Sequence, residues 1–576
     1  MLKKNINILI GGEAGQGIQT IGSLLAKVCH NTGLFIFSMD DFESRIRGGH
    51  NSHLLNISDE FIQAPCETVD ILMALDDRTY HQNKDKVNSE GLFLLNSKTQ
   101  KKNSNTFEIH LEDFAKQAGD VIALNTVAAG LIIAIIGIKL EFFESVLKNQ
   151  FEAKGQKILD LNIKAGKKGF EEGKKIKFKQ IFDFNKSTDE DAKDKLKSFK
   201  FNNTIMSGQE AAALGAVAAN CRFFPFYPMS PGTGIIASVV PYADKMPIVI
   251  EQAEDEIAAI CMAVGASFAG VRSMTSTSGG GFCLMTEGLG LAAMTETPVV
   301  IVNAQRPGPA TGMATRTAQA DLLFTINASQ DDFPRFVFAP SNPLEVFKTI
   351  KKAFWLSEKY QVPSIVLLDH FLADFSQTEP NEFKTGNEYE NISCSQTQEK
   401  TYLRYQLTDN GISNRQIPCS SSLLVRSTGN EHTQEGFTTE DPDIRNLMVE
   451  KRLKKLEMMK EEMHCPLICD KGSDFFLTGW GSSKGSIIEA SHILEERGIL
   501  VGWIIFKDIW PVNAEKLKKI LENKKLIMVE SNASAQLGQL IQQLTGIKYF
   551  DSILKYDGRP IFPEYIINKI KKIMRV

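Results

Sequence analysis

Short apolar runs recur along most of the chain, separated by stretches whose apolar positions repeat with helical spacing. Between residues 1 and 178, the runs at 5–10, 34–38 and 71–74 predict strands with helices between them. The alternation returns over 201–380, where strands are predicted at 223–227, 248–251, 273–275, 299–303, 335–339 and 364–368. It recurs over 471–576, with strands at 475–479, 501–505 and 526–529 and helices at 485–497 and 515–521. Strands alternating with helices build α/β layers. The pattern therefore predicts three α/β domains.

Two segments break it. Residues 179–200 are rich in Lys, Asp and Glu and read as a solvated charged linker. Residues 381–470 form a connector. It holds a Ser/Thr/Asn-rich stretch and then a charged helix from Arg445, whose Leu447, Leu453 and Leu456 leave a narrow apolar stripe. Such a helix is expected to lie across a domain surface. The most apolar stretch, 121–140, carries Asn125 and Thr126 and ends in charge, which fits a buried helix better than a membrane span. The apolar run near the N-terminus is short and breaks into glycines, so it reads as a strand entering a loop rather than a signal peptide. The expected location is the cytoplasm, with no membrane partner.

Composition narrows the function. The chain has 576 residues, 43% hydrophobic and 23% charged. That length suits roughly three or four domains, with cores that need no disulfide or metal staple. A net charge of −4 offers no basic footprint for nucleic acid. Nine scattered cysteines, of which Cys465 and Cys469 are the close pair, match neither a zinc ribbon nor a cluster-binding run. They read as reduced thiols.

The candidate chemistry lies in loops that follow predicted strands. Residues 11–17 read Gly-Gly-Glu-Ala-Gly-Gln-Gly, a turn into a helix where backbone N–H groups can approach an anion. Its spacing is not that of a dinucleotide fingerprint. Arg45, Arg47, Gly48, Gly49 and His50 crowd one loop able to grip a phosphate or carboxylate. Tyr227-Pro228-Met229-Ser230-Pro231 leaves the hydroxyls of Ser230 and Thr233 at the end of a sheet, where ligands of open α/β folds sit. Glu251, Glu254, Asp255 and Glu256 precede an Ala-rich helix. Acid at a helix start favours the macrodipole. That accounts for three of them and leaves a fourth for a buried catalytic acid, with no spacing to say which. Thr275 to Gly281 form a Gly-rich hydroxyl loop that lets backbone approach a ligand. Arg306 ends an apolar strand, ahead of Thr311 and Thr315, and a guanidinium there suits a bidentate grip on a substrate carboxylate.

Taken in order, YPMSP, EDEIAA, TSTSGGGF and RPGPATGMAT resemble four segments of the α subunits of 2-oxoacid:ferredoxin oxidoreductases. GGEAGQG and ESRIRGGH look like that family's γ domain. YLRY from Tyr402, GNEH from Gly429, GWGSSKG from Gly479 and ESNASAQL from Glu530 look like its later α segments. The resemblance covers nearly the whole chain, as a fused γ–α subunit. It implies a γ domain over 1–178, a thiamine-diphosphate pyrimidine-binding domain over 201–380 and a transketolase C-terminal-like domain over 471–576.

The resemblance also implies roles. Glu256 stands nine residues before Gly265, the spacing of the glutamate that bonds the cofactor's aminopyrimidine ring. Arg306, with Ser230, Thr311 and Thr315, would hold the substrate carboxylate. Tyr227, Pro228, Ser230, Ser278 and Gly279 would line the cofactor, and the Arg45–His50 loop would contact coenzyme A or another anion. The implied reaction is CoA-dependent oxidative decarboxylation of a 2-oxo acid, with electrons passed to ferredoxin. The γ–α order favours 2-oxoglutarate, giving succinyl-CoA, over pyruvate or a branched-chain substrate. A non-oxidative thiamine enzyme and a non-catalytic binding protein are the alternatives. The sequence has no Gly-Asp-Gly loop followed by Asn at thiamine-enzyme spacing. Mg²⁺, the diphosphate half-site and a [4Fe–4S] cluster are therefore expected on a partner β subunit. Departures from the family are Ser230 for a threonine, Ala314 and Asn414 for prolines, and Cys419 for a glycine.

Overall fold

The computed structural model describes residues 5–44, 49–96, 105–176, 198–199, 202–384 and 402–574. They divide into two compact units. The first holds a mixed eight-stranded sheet in the order Thr106–Glu108, Val87–Leu95, Val69–Ala74, Asn5–Glu13, His50–Ser58, Phe35–Phe42, Ser376–Pro380, Asn203–Ser207. This unit reaches past the 1–178 span read from sequence, since its last two strands are the two ends of the 201–380 segment. The charged linker expected at 179–200 lies almost wholly outside the described residues. Asn5–Glu13 pairs antiparallel with His50–Ser58 and parallel with Val69–Ala74, so the glycine-rich turn after it leaves the middle of the sheet.

The apolar 121–140 stretch forms the 3-10 turn Val121–Ala123 and helix Leu124–Ile135, which is buried along most of its length. Helix Gln156–Gly173 crosses it at backbone distance. A Cβ at Gly169 would lie 2.0 Å from the Val127 carbonyl oxygen, and one at Gly173 would lie 2.4 Å from that of Leu131. Among the described residues no single helix is long and apolar enough to cross a membrane.

The second unit holds the other sheets. Met274–Thr277, Val299–Gln305, Pro363–Asp369 and Phe336–Phe338 run parallel, and antiparallel Asp508–Trp510 closes one edge. At the other edge the parallel pair Phe223–Phe226 and Val249–Gln252 continues the sheet through a bridge from Phe223 to Ser273. The remaining sheet runs Leu467–Cys469, Gly502–Phe506, Phe475–Trp480, Lys525–Glu530, Asp551–Leu554, with only its first strand antiparallel. Ile260, Phe282, Met285 and Ile301 share one buried cluster with Phe476, Trp480, Ile504 and Leu526. Each such side chain contributes ~1.5–3 kcal/mol by leaving water. The second and third α/β segments therefore share a single core.

Helix Pro442–Glu461 reverses one expectation. Its buried positions are Met448, Lys451, Arg452, Lys455 and Met459, while Leu447 is exposed and Leu453 and Leu456 are half-buried. The charged face is inside because two carboxylates meet it there: Glu296 pairs with Lys451 and Lys455, and Glu431 pairs with Arg452.

Candidate active site

All four motif loops leave the carboxyl ends of neighbouring parallel strands: Phe223–Phe226, Val249–Gln252, Met274–Thr277 and Val299–Gln305. That edge of an open α/β sheet is where groups from separate strands converge. The loops are also fastened to each other. The Ser276 hydroxyl donates to the Gly232 carbonyl at 2.9 Å. Gly232 lies so close to Thr277 that a Cβ there would meet the Thr277 carbonyl oxygen at 2.8 Å. The first loop is thereby seated on the third.

Of the four acids ahead of helix Glu256–Phe268, one is inside. Glu251 and Glu254 are exposed. Asp255 is the helix cap, accepting from the Ala258 N–H at 2.7 Å. Glu256 is 2% exposed, and its Oε1 is buried with no hydrogen-bond partner. Leaving a buried acceptor unpaired costs about 1–3 kcal/mol, and more when it is charged. Such a group therefore marks a place where a donor is to arrive. Gly281 roofs it: a Cβ there would meet Glu256 Oε1 at 2.6 Å and Thr277 Oγ1 at 2.0 Å. The Ser278 and Thr275 hydroxyls and Asn303 Oδ1 are also buried without partners. Thr277 and Asn303 are register neighbours, so these orphaned atoms gather on two adjacent strands and the turn that follows.

Arg306 follows Val299–Gln305. Its Nη1 donates to the Ser230 carbonyl oxygen at 2.7 Å, and its Nε is buried and unpartnered. The structure thus brings Arg306 and Ser230 together, through the serine's backbone. Residues Ser230, Tyr227 and Pro228 are themselves exposed. Burial holds the Arg306 pKa below its ordinary value. A half-buried guanidinium satisfied only by a carbonyl keeps donors for an incoming carboxylate. On the same loop Thr311 is exposed and Thr315 half-buried. The Met313 N–H donates to the Pro307 carbonyl at 3.0 Å, turning the loop back on itself.

Beyond Arg306 the loop is tied to the last sheet. The Thr317 N–H donates to the Gly558 carbonyl at 3.2 Å, and the Gln319 N–H to that of Ser531 at 2.8 Å. Gln319 Nε2 donates to the Trp480 carbonyl at 2.8 Å. Glu530 beside them is fully buried and accepts from Trp480 Nε1 at 3.1 Å and Asn532 Nδ2 at 2.8 Å. The motif segments from Gly479 and Glu530 are therefore anchors for the arginine loop.

Sequence reasoning missed Asp321. By position it caps the helix Leu322–Ile326, but its side chain turns back. It accepts from Asn303 Nδ2 at 3.2 Å and presses on Gly279, where a Cβ would meet its Oδ2 at 2.4 Å. Burial pushes its carboxyl up to about 6, against the Asn303 hydrogen bond. A lone Asp before Leu-Leu carries no signal beyond that of a helix cap.

In the first unit, Arg45, Arg47 and Gly48 lie outside the described residues. The Ala14 N–H donates to the Gly49 carbonyl at 3.0 Å, and His50 stands opposite Glu13 in register, so the glycine-rich turn adjoins Gly49 and His50. Burial, and then Arg78, hold the His50 pKa below its ordinary value.

Gly281 supplies a direct test of the pocket. It lies in the first turn of helix Gly279–Met294, where alanine would ordinarily stabilise by ~1 kcal/mol. Here the added methyl displaces Thr277 or Glu256, so Gly281→Ala is expected to lower turnover by about 10²-fold. Gly280→Ala, whose nearest neighbour would be the Ala310 carbonyl oxygen at 3.8 Å, is the control and is expected to act as wild type. Steady-state rates of the two variants decide it.

A family profile described as "Pyruvate flavodoxin/ferredoxin oxidoreductase, thiamine diP-bdg" matches residues 214–451, which span all four loops. A second, "Pyruvate ferredoxin/flavodoxin oxidoreductase", matches residues 7–172. The 2-oxoacid:ferredoxin oxidoreductase subunit alpha of Sulfolobus sp is 30% identical, over 98% of this chain and 96% of its own length. The 2-oxoglutarate synthase subunit KorA of Methanothermobacter thermautotrophicus is 31% identical, over 64% of this chain and 99% of its own. A solved 2-oxoglutarate:ferredoxin oxidoreductase from Magnetococcus marinus, with 2-oxoglutarate, coenzyme A and succinyl-CoA bound, superposes with a TM-score of 0.89. That match is at 30% identity and covers 99% of both chains.

Proposed function

The chain belongs to the 2-oxoacid:ferredoxin oxidoreductases as an α subunit, and from that premise we propose that it takes 2-oxoglutarate to succinyl-CoA and CO₂, with two electrons leaving to ferredoxin. The observation that carries the proposal is the buried Glu256 carboxylate, whose Oε1 has no partner beneath Gly281. That orphaned acceptor and the cradle around it fit the aminopyrimidine of thiamine diphosphate. Bound there, the cofactor supplies the carbanion chemistry.

The chain's own groups have the remaining tasks. Glu256 accepts a hydrogen bond from the ring and holds the proton that sets its tautomer. Gly281 and Gly279 let the backbone close on the ring, and Ser278 offers its unpaired hydroxyl. Arg306 grips the substrate's carboxylate with the donors that Ser230 leaves free, assisted by Thr311 and Thr315, so that the reacting carbon is oriented. A β subunit contributes the Mg²⁺ and diphosphate half-site and the [4Fe–4S] cluster. The Arg45–His50 loop of the γ segment is assigned to coenzyme A or another anion. The 2-oxoglutarate assignment is supported by the named substrate of the KorA relative and of the Magnetococcus enzyme.

The test is the rate of ferredoxin reduction by the co-purified complex on 2-oxoglutarate, pyruvate and a branched-chain 2-oxo acid, each with coenzyme A. The highest kcat/KM is expected on 2-oxoglutarate; a higher value on either other acid would reassign the substrate.

A further inference from the structure

Away from the four loops, the second unit holds a cavity of about 270 Å³. Arg335 lines it, just ahead of strand Phe336–Phe338, and is 4% exposed. Its Nη1 donates to the carbonyl oxygens of Thr325, at 3.3 Å, and Ala328. Its guanidinium carbon lies 4.2 Å from the centre of the Phe333 ring. Among the described residues no carboxylate pairs with it, and its Nη2 and Nε have no hydrogen-bond partner. Burial lowers its pKa only to about 10, so it stays charged at neutral pH.

A buried cation without a counter-charge is costly, and an apolar residue of similar shape would serve packing better. Leu453, Leu456, Trp510, Leu540 and Leu544 form an apolar stretch of the cavity wall, and Asn327 and Gln543 add amide groups to it. Two acids stand at its rim. Asp331 is already paired with Arg445 at 2.5 Å, and Asp332 is exposed, where water screens it. The half-buried Leu453 and Leu456, which fail to make the buried face of their own helix, are accounted for as part of this wall.

We propose that this cavity is a binding site for an aliphatic carboxylate, whose carboxylate accepts from the free Nη2 and Nε of Arg335 and whose alkyl chain lies on the leucines and Trp510. Charge-assisted bonds from a guanidinium are the strong kind, and the unfilled fork has the geometry for them. The inference stands independently of the reaction assigned above.

The test is isothermal titration of the full chain, in complex with its partner subunit, with octanoate, octanol and octylamine as probes. Octanoate is expected to bind with one site per chain, roughly tenfold or more tighter than octanol, with no octylamine binding. Arg335→Met is expected to weaken octanoate by roughly tenfold or more. Leu456→Trp, which fills the cavity and leaves the arginine in place, is expected to do the same, so that one variant's failure to fold leaves the other. Failure of octanoate to bind, equal binding of octanoate and octanol, or unchanged binding in either variant would overturn the proposal. So would octanoate binding by the isolated chain that is abolished in the complex, because a partner group would then own the cavity.

Discussion

Glu256→Gln is expected to reduce ferredoxin-linked turnover by about 10²–10⁴-fold, the range for removing a positioned proton-transfer group. The substitution keeps the side chain's shape and its burial at 2% exposure, and removes only the carboxylate's charge and basicity. Folding is not expected to suffer. Oε1 has no partner within the chain, so no internal hydrogen bond of that atom is lost. The variant should therefore co-purify with its partner and melt near the wild-type temperature while failing in catalysis. Glu251→Gln and Glu254→Gln change exposed carboxylates ahead of the same helix and are expected to leave the rate unchanged. Near-wild-type turnover in Glu256→Gln, or an equal loss in all three variants, would dissolve the assignment and leave the acid cluster as a macrodipole device alone.

The ease with which these loops are read from sequence has a physical cause. Strands Val299–Gln305 and Pro363–Asp369 are buried along their whole length, so they appear as continuous apolar runs ended by polar or Gly/Pro residues. The Arg306 loop follows one such run; Met274–Thr277 is buried but polar and Val249–Gln252 is largely exposed, so their loops are legible from their own glycines, hydroxyls and acids. What spacing could not decide was which acid of the 251–256 cluster is buried. That depends on Gly281 and Thr277, which arrive from another strand, and the family resemblance had to choose. Asp321 and Arg335 were silent for the same reason: each is a single charged residue whose meaning lies in a distant neighbour. The extent of the first unit was hidden too. Asn203–Ser207 and Ser376–Pro380 join its sheet across long separations, and pairing of that kind leaves no local pattern.

The connector helix was misjudged because an amphipathic reading assumes that apolar residues are the ones buried. Pro442–Glu461 buries Lys451, Arg452 and Lys455 together with Met448 and Met459, and these inward charges carry the largest stability effect expected in the molecule. Glu296→Gln is expected to destabilise the chain by about 3–5 kcal/mol, the cost of breaking a buried ion pair from one side. Glu296 is 1% exposed and receives Lys451 at 2.6 Å and Lys455 at 2.6 Å. Arg404, also 1% exposed, donates to the Thr295 and Glu296 carbonyls at 3.1 and 2.7 Å. Burial alone would raise the Glu296 pKa, but Lys455, then Lys451 and Arg404, reverse it and hold the carboxyl far below its ordinary 4.5. A depressed carboxylate pKa stabilises fully above the unfolded value and loses that contribution as pH falls through the folded one. Denaturant titrations should therefore show the gap between wild type and Glu296→Gln intact at pH 7 and narrowing as pH drops below 4.5. The cations are not equivalent. Lys451 also donates to the Gly411 carbonyl at 3.2 Å, and Arg404 has its own carbonyls, whereas the hydrogen bond of Lys455 goes to Glu296. Lys455→Met leaves Glu296 its pair with Lys451, so it is expected to cost less than Glu296→Gln, which leaves both lysines without a carboxylate. Equal losses in the two variants would mean that packing of the connector, and not its charge, holds the helix in place.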